Sequence, residues 1–137
     1  MLSQIHKRGG RAFEKMLREK GVDAFTGAQG KILYVLWENG SMPISRICEM
    51  TSLANTTLTG MLDYMERLGL VTRAMNPDNR RQIIVSLSPL AEGLRDEYED
   101  VSRQTLDIFY DGFSVDEITA FENMLNRILE NYRKRGY

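Results

Sequence analysis

What most constrains the fold of this chain is a change of apolar period near its middle. Up to Leu68 apolar residues recur at helical spacing, and from Val71 they alternate. Val71–Met75 reads as one strand, Asn76-Pro77-Asp78-Asn79 as a turn, and Gln82–Leu87 as a second strand with Ile83, Val85 and Leu87 on one face. A hairpin therefore interrupts an otherwise helical chain, and two arginines, Arg80 and Arg81, stand near its tip.

Four helices are expected before the hairpin. Leu2, Ile5, Phe13, Met16 and Leu17 share a face of the first, which Gly9-Gly10 should kink or fray at roughly 1 kcal/mol per glycine. Thr26 and Gln29 have capping-box spacing and open a second helix carrying Ile32, Leu33, Val35, Leu36 and Trp37 up to Gly40. Pro43, in a first helical turn, starts a short third helix with Ile44, Ile47 and Cys48 on its inner side, ended by Thr51 and Ser52. In the fourth, Leu58, Met61, Leu62, Met65 and Leu68 make one apolar stripe. Thr56, Gly60, Asp63 and Arg67 lie opposite, Asn55 and Thr59 flank them, and Gly69-Leu70 reads as a Schellman-type stop.

After the hairpin, Ser88-Pro89 should open one long helix bearing Leu90, Leu94, Tyr98, Val101, Thr105 and Ile108. Ser114 and Glu117 form a second capping box, with Phe113 and Ile118 at staple positions. The last helix is expected to bury Ile118, Phe121, Leu125, Ile128, Leu129 and Tyr132. The fold class is thus mainly α with a small β-hairpin, a single domain over 1–137 with a winged helix-turn-helix lobe at 26–88.

Composition removes several functions. One cysteine and one histidine cannot make a disulfide or the three or four ligands of a zinc site. No metal or other cofactor is expected. No apolar run approaches the roughly 18 residues of a membrane span, and the polar N-terminus is unlike a signal peptide, so a cytoplasmic protein is expected. An enzyme is not expected either, for want of a nucleophile beside a base or a glycine-rich phosphate loop. The net charge of -1 means that any nucleic-acid contact must come from local charge. Acidic residues dominate from Leu90 onward, whereas Arg67, Arg73, Arg80 and Arg81 cluster mid-chain, and Lys7, Arg8, Arg11, Lys15, Arg18 and Lys20 enrich the N-terminal segment.

Helices closed by a hairpin, with the helix before the hairpin small and polar outside, suit double-stranded DNA. The fourth helix would lie in the major groove with Asn55, Thr56, Thr57, Thr59 and Gly60 as its DNA-facing set. Asn55 can bond adenine bidentately, Thr56 and Thr59 can bond bases or phosphates, and Gly60 removes bulk. Arg80 and Arg81 have no evident core role and suit a minor groove, while Arg67 and Arg73 would lie near phosphates. The competing reading is a winged-helix module that binds protein.

The stretch ANTTLTGMLDYMERLGLVTR followed by NPDNRRQIIVSLSPL resembles the recognition helix, wing and following helix of the multiple antibiotic resistance regulators, the MarR family, and the likeness covers nearly the whole chain. Arg81 matches the family's wing arginine, Leu87-Ser88 its Leu-Thr pair, and Gly69 the glycine ending the recognition helix. Three positions depart from the pattern. Asn79 replaces the wing aspartate, Gly60 stands where many members are basic, and Ala91 where many have glycine.

The resemblance implies a homodimer built from dimerisation helices at 1–22 and 89–135, with recognition helices roughly 34 Å apart on a pseudo-palindromic operator. It implies a transcriptional repressor released by a small aromatic or anionic effector bound between the dimerisation helices and the lobe. No ligand residues are assigned, because Tyr34, Trp37, Tyr98 and Tyr110 at helical spacing read first as core. Some members sense oxidants through cysteine, but Cys48 on an inner helix side reads first as packing rather than as a thiol-based redox sensor.

Overall fold

The structure, a computed structural model, describes residues 1–137. Its elements are α1 (Leu2–Glu19), α2 (Gly27–Asn39), β1 (Met42–Pro43), α3 (Ile44–Thr51), α4 (Asn55–Arg67), β2 (Val71–Asn76), β3 (Asn79–Leu87), α5 (Pro89–Glu92), α6 (Arg95–Phe109) and α7 (Val115–Arg133). Contacts group them into two compact units, Met1–Arg103 and Gln104–Tyr137.

The first unit holds the core. Leu17, Ile32, Leu33, Leu36, Ile47, Leu58, Leu62, Met65, Leu70, Val71, Val85 and Val101 are fully buried. Most of these are the predicted inner faces of α2, α3 and α4, with the base of the hairpin closing them, and Leu17 of α1 and Val101 of α6 join them. Beside them Tyr98 of α6 is surrounded by rings, 5.3 Å from Phe13, 5.2 Å from Trp37, and 6.0 Å from both Phe25 and Tyr34. The Trp37 indole N–H donates to the Ala91 carbonyl at 3.0 Å, and burial pushes the Tyr98 phenol up from its usual range. Gly30 is required here because a Cβ would stand 2.5 Å from the Tyr98 ring. Arg95 ties α6 to the end of α2, bonding the Trp37 carbonyl at 3.0 Å and pairing with Glu38 and Glu99 at 2.6 Å each.

Five expectations are corrected. The first helix runs unbroken through Gly9-Gly10, since glycine lowers helix stability but keeps its N–H and leaves the hydrogen-bond ladder whole. Pro43 precedes the third helix as its extended N-cap residue, and with Met42 it forms an edge strand opposite Ile84 and Val85, giving the sheet order β1-β3-β2. A two-residue strand has no period to read, and proline without an N–H is tolerated at a sheet edge. The hairpin strands run closer to the tip than expected, leaving Pro77-Asp78 as the turn after a bulge at Met75/Asn76, so Arg80 and Arg81 belong to β3.

The long helix after Ser88 is two helices. Leu94 N–H reaches back three residues to the Ala91 carbonyl, a tightened turn at Gly93-Leu94 that separates α5 from α6. Lastly, α7 buries no residue, and Leu68 at the end of the α4 stripe is also exposed.

The second unit is framed by local bonds. Ser114 and Glu117 form the expected capping box, with the Ser114 hydroxyl accepting from Glu117 N–H at 3.2 Å and the Glu117 carboxylate accepting from Ser114 N–H at 2.8 Å. The Tyr110 hydroxyl donates to Glu122 at 2.8 Å, and Phe109 lies 6.3 Å from Phe121.

Candidate nucleic-acid interface

The start of α4 is set by Ala54, an extended residue whose side chain cannot cap. The first amides of the helix therefore lack side-chain acceptors and face outward at its positive end, a suitable site for an anion. Asn55, Thr56 and Thr57 are exposed there, and Thr59 is half-buried. The Thr59 hydroxyl donates to the Asn55 side-chain oxygen at 3.2 Å, which orients the amide along the helix. A Cβ at Gly60 would meet nothing within 4 Å, so packing inside the chain does not require glycine.

Behind this face the helix is anchored by its apolar stripe and ends as the sequence predicts. Gly69 takes φ +74, its N–H donates to Glu66, and Leu70 N–H donates to Met65, both at 3.0 Å, which completes the Schellman pair. Ser88 then pins the base of the hairpin to that ending. Its hydroxyl donates to the Gly69 carbonyl at 2.5 Å and accepts from Ala91 N–H at 3.2 Å, while its own N–H donates to Leu70.

Side-chain amides shape the wing tip. Asn76 accepts from Asp78 N–H at 3.0 Å and donates to the Gln82 side chain at 2.9 Å. Asn79 accepts from the Arg81 backbone N–H at 3.1 Å, so it organises the backbone of Arg81 and leaves the guanidinium free. Arg80 and Arg81 are exposed, and neither forms an ion pair.

The four mid-chain arginines have different surroundings. Arg67 stacks over Tyr64 with its guanidinium carbon 5.7 Å from the ring centre. Arg73 is held by the chain itself. Its guanidinium reaches Asp63 at 2.6 Å and Glu66 at 2.8 Å, and its backbone N–H donates to the other Glu66 oxygen at 3.1 Å. The hydrogen bonds that Arg73 donates to Glu66 and then to Asp63 raise its pKa, and the same bond to Glu66 holds that carboxyl below its ordinary value. Nothing in the sequence alone pairs Arg73 with these acids rather than with phosphate, because a helix ending and a strand must first be set side by side.

Sequence reasoning also missed a cavity of about 170 Å³ bounded by Glu14, Arg18, Phe25, Gln29 and Tyr64, among others. Its walls come from separate helices, so no local motif announces it. Of the aromatic residues considered for a pocket, Trp37 and Tyr98 are core, Tyr34 lies at the edge of that cluster, and Tyr110 bonds Glu122 in the second unit. Cys48 is half-buried and packs against the core. No helix is long and apolar enough to cross a membrane.

Comparison with known proteins places this geometry. The HTH-type transcriptional regulator YsmB of Bacillus subtilis is 27% identical over 88% of this chain and 86% of its own length. A cysteine-to-serine mutant of MarR from E. coli, solved in complex with operator DNA, shares the fold with a TM-score of 0.85 at 22% identity, covering 93% of this chain and 90% of that one. BpsR of Bordetella bronchiseptica, whose DNA binding is regulated by 6-hydroxynicotinic acid, matches with a TM-score of 0.82 at 20% identity over 93% and 89%. The sequence profile described as MarR family matches residues 25–83, which span α2 through most of the wing. Over this winged-helix region the chain matches the MarR family.

Proposed function

We propose that this protein is a transcriptional regulator that binds duplex DNA as a homodimer, with α4 in the major groove and the β2–β3 wing in the minor groove. The observation that carries the reading is the contrast among its arginines. Arg80 and Arg81 stand exposed on the wing without acidic partners, and the α4 start leaves Asn55, Thr56 and Thr57 exposed. Unpaired guanidinium groups on a strand suit the narrow, negative minor groove, and an uncapped helix start suits phosphate and base edges.

In this reading Asn55, Thr56, Thr57 and Thr59 supply polar contacts, Gly60 permits close approach, and Arg67 contacts phosphate. The lobe at 26–88 reads DNA and the helices at 1–22 and 89–135 make the dimer. A groove-filling dimer represses by excluding polymerase, and a small ligand releases it, as 6-hydroxynicotinic acid regulates BpsR. The protein acts in the cytoplasm and has no catalytic activity.

Selection of bound sequences from a random duplex pool, followed by titration at several salt concentrations, tests the reading. The expected outcome is a pseudo-palindromic site bound with affinity that falls steeply as salt rises. Arg81→Ala should weaken binding to that site by roughly 1–3 kcal/mol. A chain that enriches no sequence, or whose binding ignores salt, is not this regulator; the second result favours a protein-binding module.

A further inference from the structure

Arg73 offers the same chemistry as Arg80 and Arg81 and lies on the other strand of the same wing, yet its surroundings are opposite. Its side chain keeps only 22% of its exposure, with Asp63 at 55% and Glu66 at 41%. Glu66 uses both carboxylate oxygens on this one residue, accepting from the backbone N–H with Oε1 and from the guanidinium Nη2 and Nε with Oε2 at 2.8 and 3.3 Å. Asp63, one turn earlier, accepts from the same Nη2 at 2.6 Å.

The acids are badly placed by themselves. Two carboxylates three residues apart repel each other, and near a helix C-terminus they oppose the helix dipole. Both also belong to the helix assigned to the major groove, where phosphates add to the repulsion. Only the cation from β2 compensates them. Exposed ion pairs add little to stability, but a guanidinium fork with three hydrogen bonds to two carboxylates, plus a backbone bond, fixes direction as well as distance. Arg73 is itself paired with Val85 of β3, and Val85 with Met42 of β1, so the fork connects α4 to the whole sheet.

We infer that Asp63, Glu66 and Arg73 form a clamp that sets the wing relative to α4, so that the two DNA-reading elements are presented as one unit, and that Arg73 is not a phosphate contact. All three are positioning residues. The inference rests on the DNA-binding reading above, and the sign of one substitution separates the two.

Removing an acid near DNA ordinarily strengthens binding by removing repulsion; removing a clamp acid should weaken it. The experiment titrates the duplex selected by the parent with parent, Glu66→Gln, Arg73→Met, Arg73→Lys and the Glu66→Gln/Arg73→Met double variant, at several salt concentrations, with circular-dichroism melting of each. Glu66→Gln is expected to weaken operator binding about tenfold without changing the slope against salt. Arg73→Met should behave alike, the double variant should be no weaker than the weaker single, and Arg73→Lys should not restore binding, because an ammonium lacks the fork.

Equal or tighter binding by Glu66→Gln overturns the clamp, as does a loss of about 0.9 in salt slope for Arg73→Met, the mark of one lost phosphate contact. Should Arg73→Met melt below the assay temperature, Glu66→Gln and Arg73→Lys decide. If the parent itself selects no duplex, the proposed function fails; if the parent binds and Glu66→Gln does not weaken it, only the clamp fails.

Discussion

Helices α4 and α7 carry the same apolar spacing and meet different fates. Leu58, Met61, Leu62 and Met65 of α4 repeat at the intervals of Leu125, Ile128, Leu129 and Tyr132 of α7. In α4 three of the four are fully buried, under α2, α3 and the sheet. In α7 none is buried, and Ile128 and Leu129 keep about half their exposure (51% and 47%). An apolar stripe states that a face needs cover and leaves the source of that cover open. For α4 it is the rest of the chain; for α7 the proposed dimer supplies it, since a contiguous apolar face on a single chain marks an interaction surface.

Substitutions can break or sharpen this contrast. The largest effect is expected from Leu62→Ala, which leaves a cavity in a closed core and should cost roughly 2–5 kcal/mol in denaturant unfolding. Ile128→Ala should cost the single chain far less, and similar values for the two would dissolve the distinction. Next in size, Ile128→Lys places a charge on the α7 stripe and should weaken dimerisation by at least about tenfold while the first unit keeps its fold. Sedimentation against concentration, with circular dichroism as the fold control, reads this, and an unchanged dimer would mean that another face provides the partner.

Gly30→Ala should destabilise the first unit by about 1–3 kcal/mol, because the new methyl group meets the Tyr98 ring. A thermal melt equal to the parent would show that the ring cluster yields easily. The smallest effect concerns Asp100, whose carboxyl is held down to about 2 by Lys20 and then by Arg103. A depressed folded pKa gives stability that is present above the unfolded value of 3.8 and is lost as pH falls toward about 2. Unfolding curves across that window should show a shallower acid loss for Asp100→Asn than for the parent, and superimposable acid limbs would remove the ion pair from the account.

Much of this was legible in one sequence. Both capping boxes and the Gly69-Leu70 ending follow from bonds between residues three to five positions apart, and the apolar stripe of α4 from its spacing, so local order is sufficient for them. The exposed arginines of β3 were legible for the same reason, as charges with no core role. The two-residue strand β1 was not, because its pairing with Ile84 and Val85 depends on a sheet it joins from more than forty residues away. The break at Gly93-Leu94 was missed because the apolar pattern runs through it without interruption.

The sequence by itself determined the order of helices and hairpin, the cores of the helices, and the presence of unneutralised arginine on the wing, since each rests on composition and near-neighbour spacing. Tertiary structure alone decided which arginine was free. Arg73 and Arg81 are alike in sequence, but only folding brings the end of α4 against β2 and sets two carboxylates around Arg73. Charge becomes a site or a strut according to what stands within about 4 Å of it, and for long-range pairs that distance belongs to the fold.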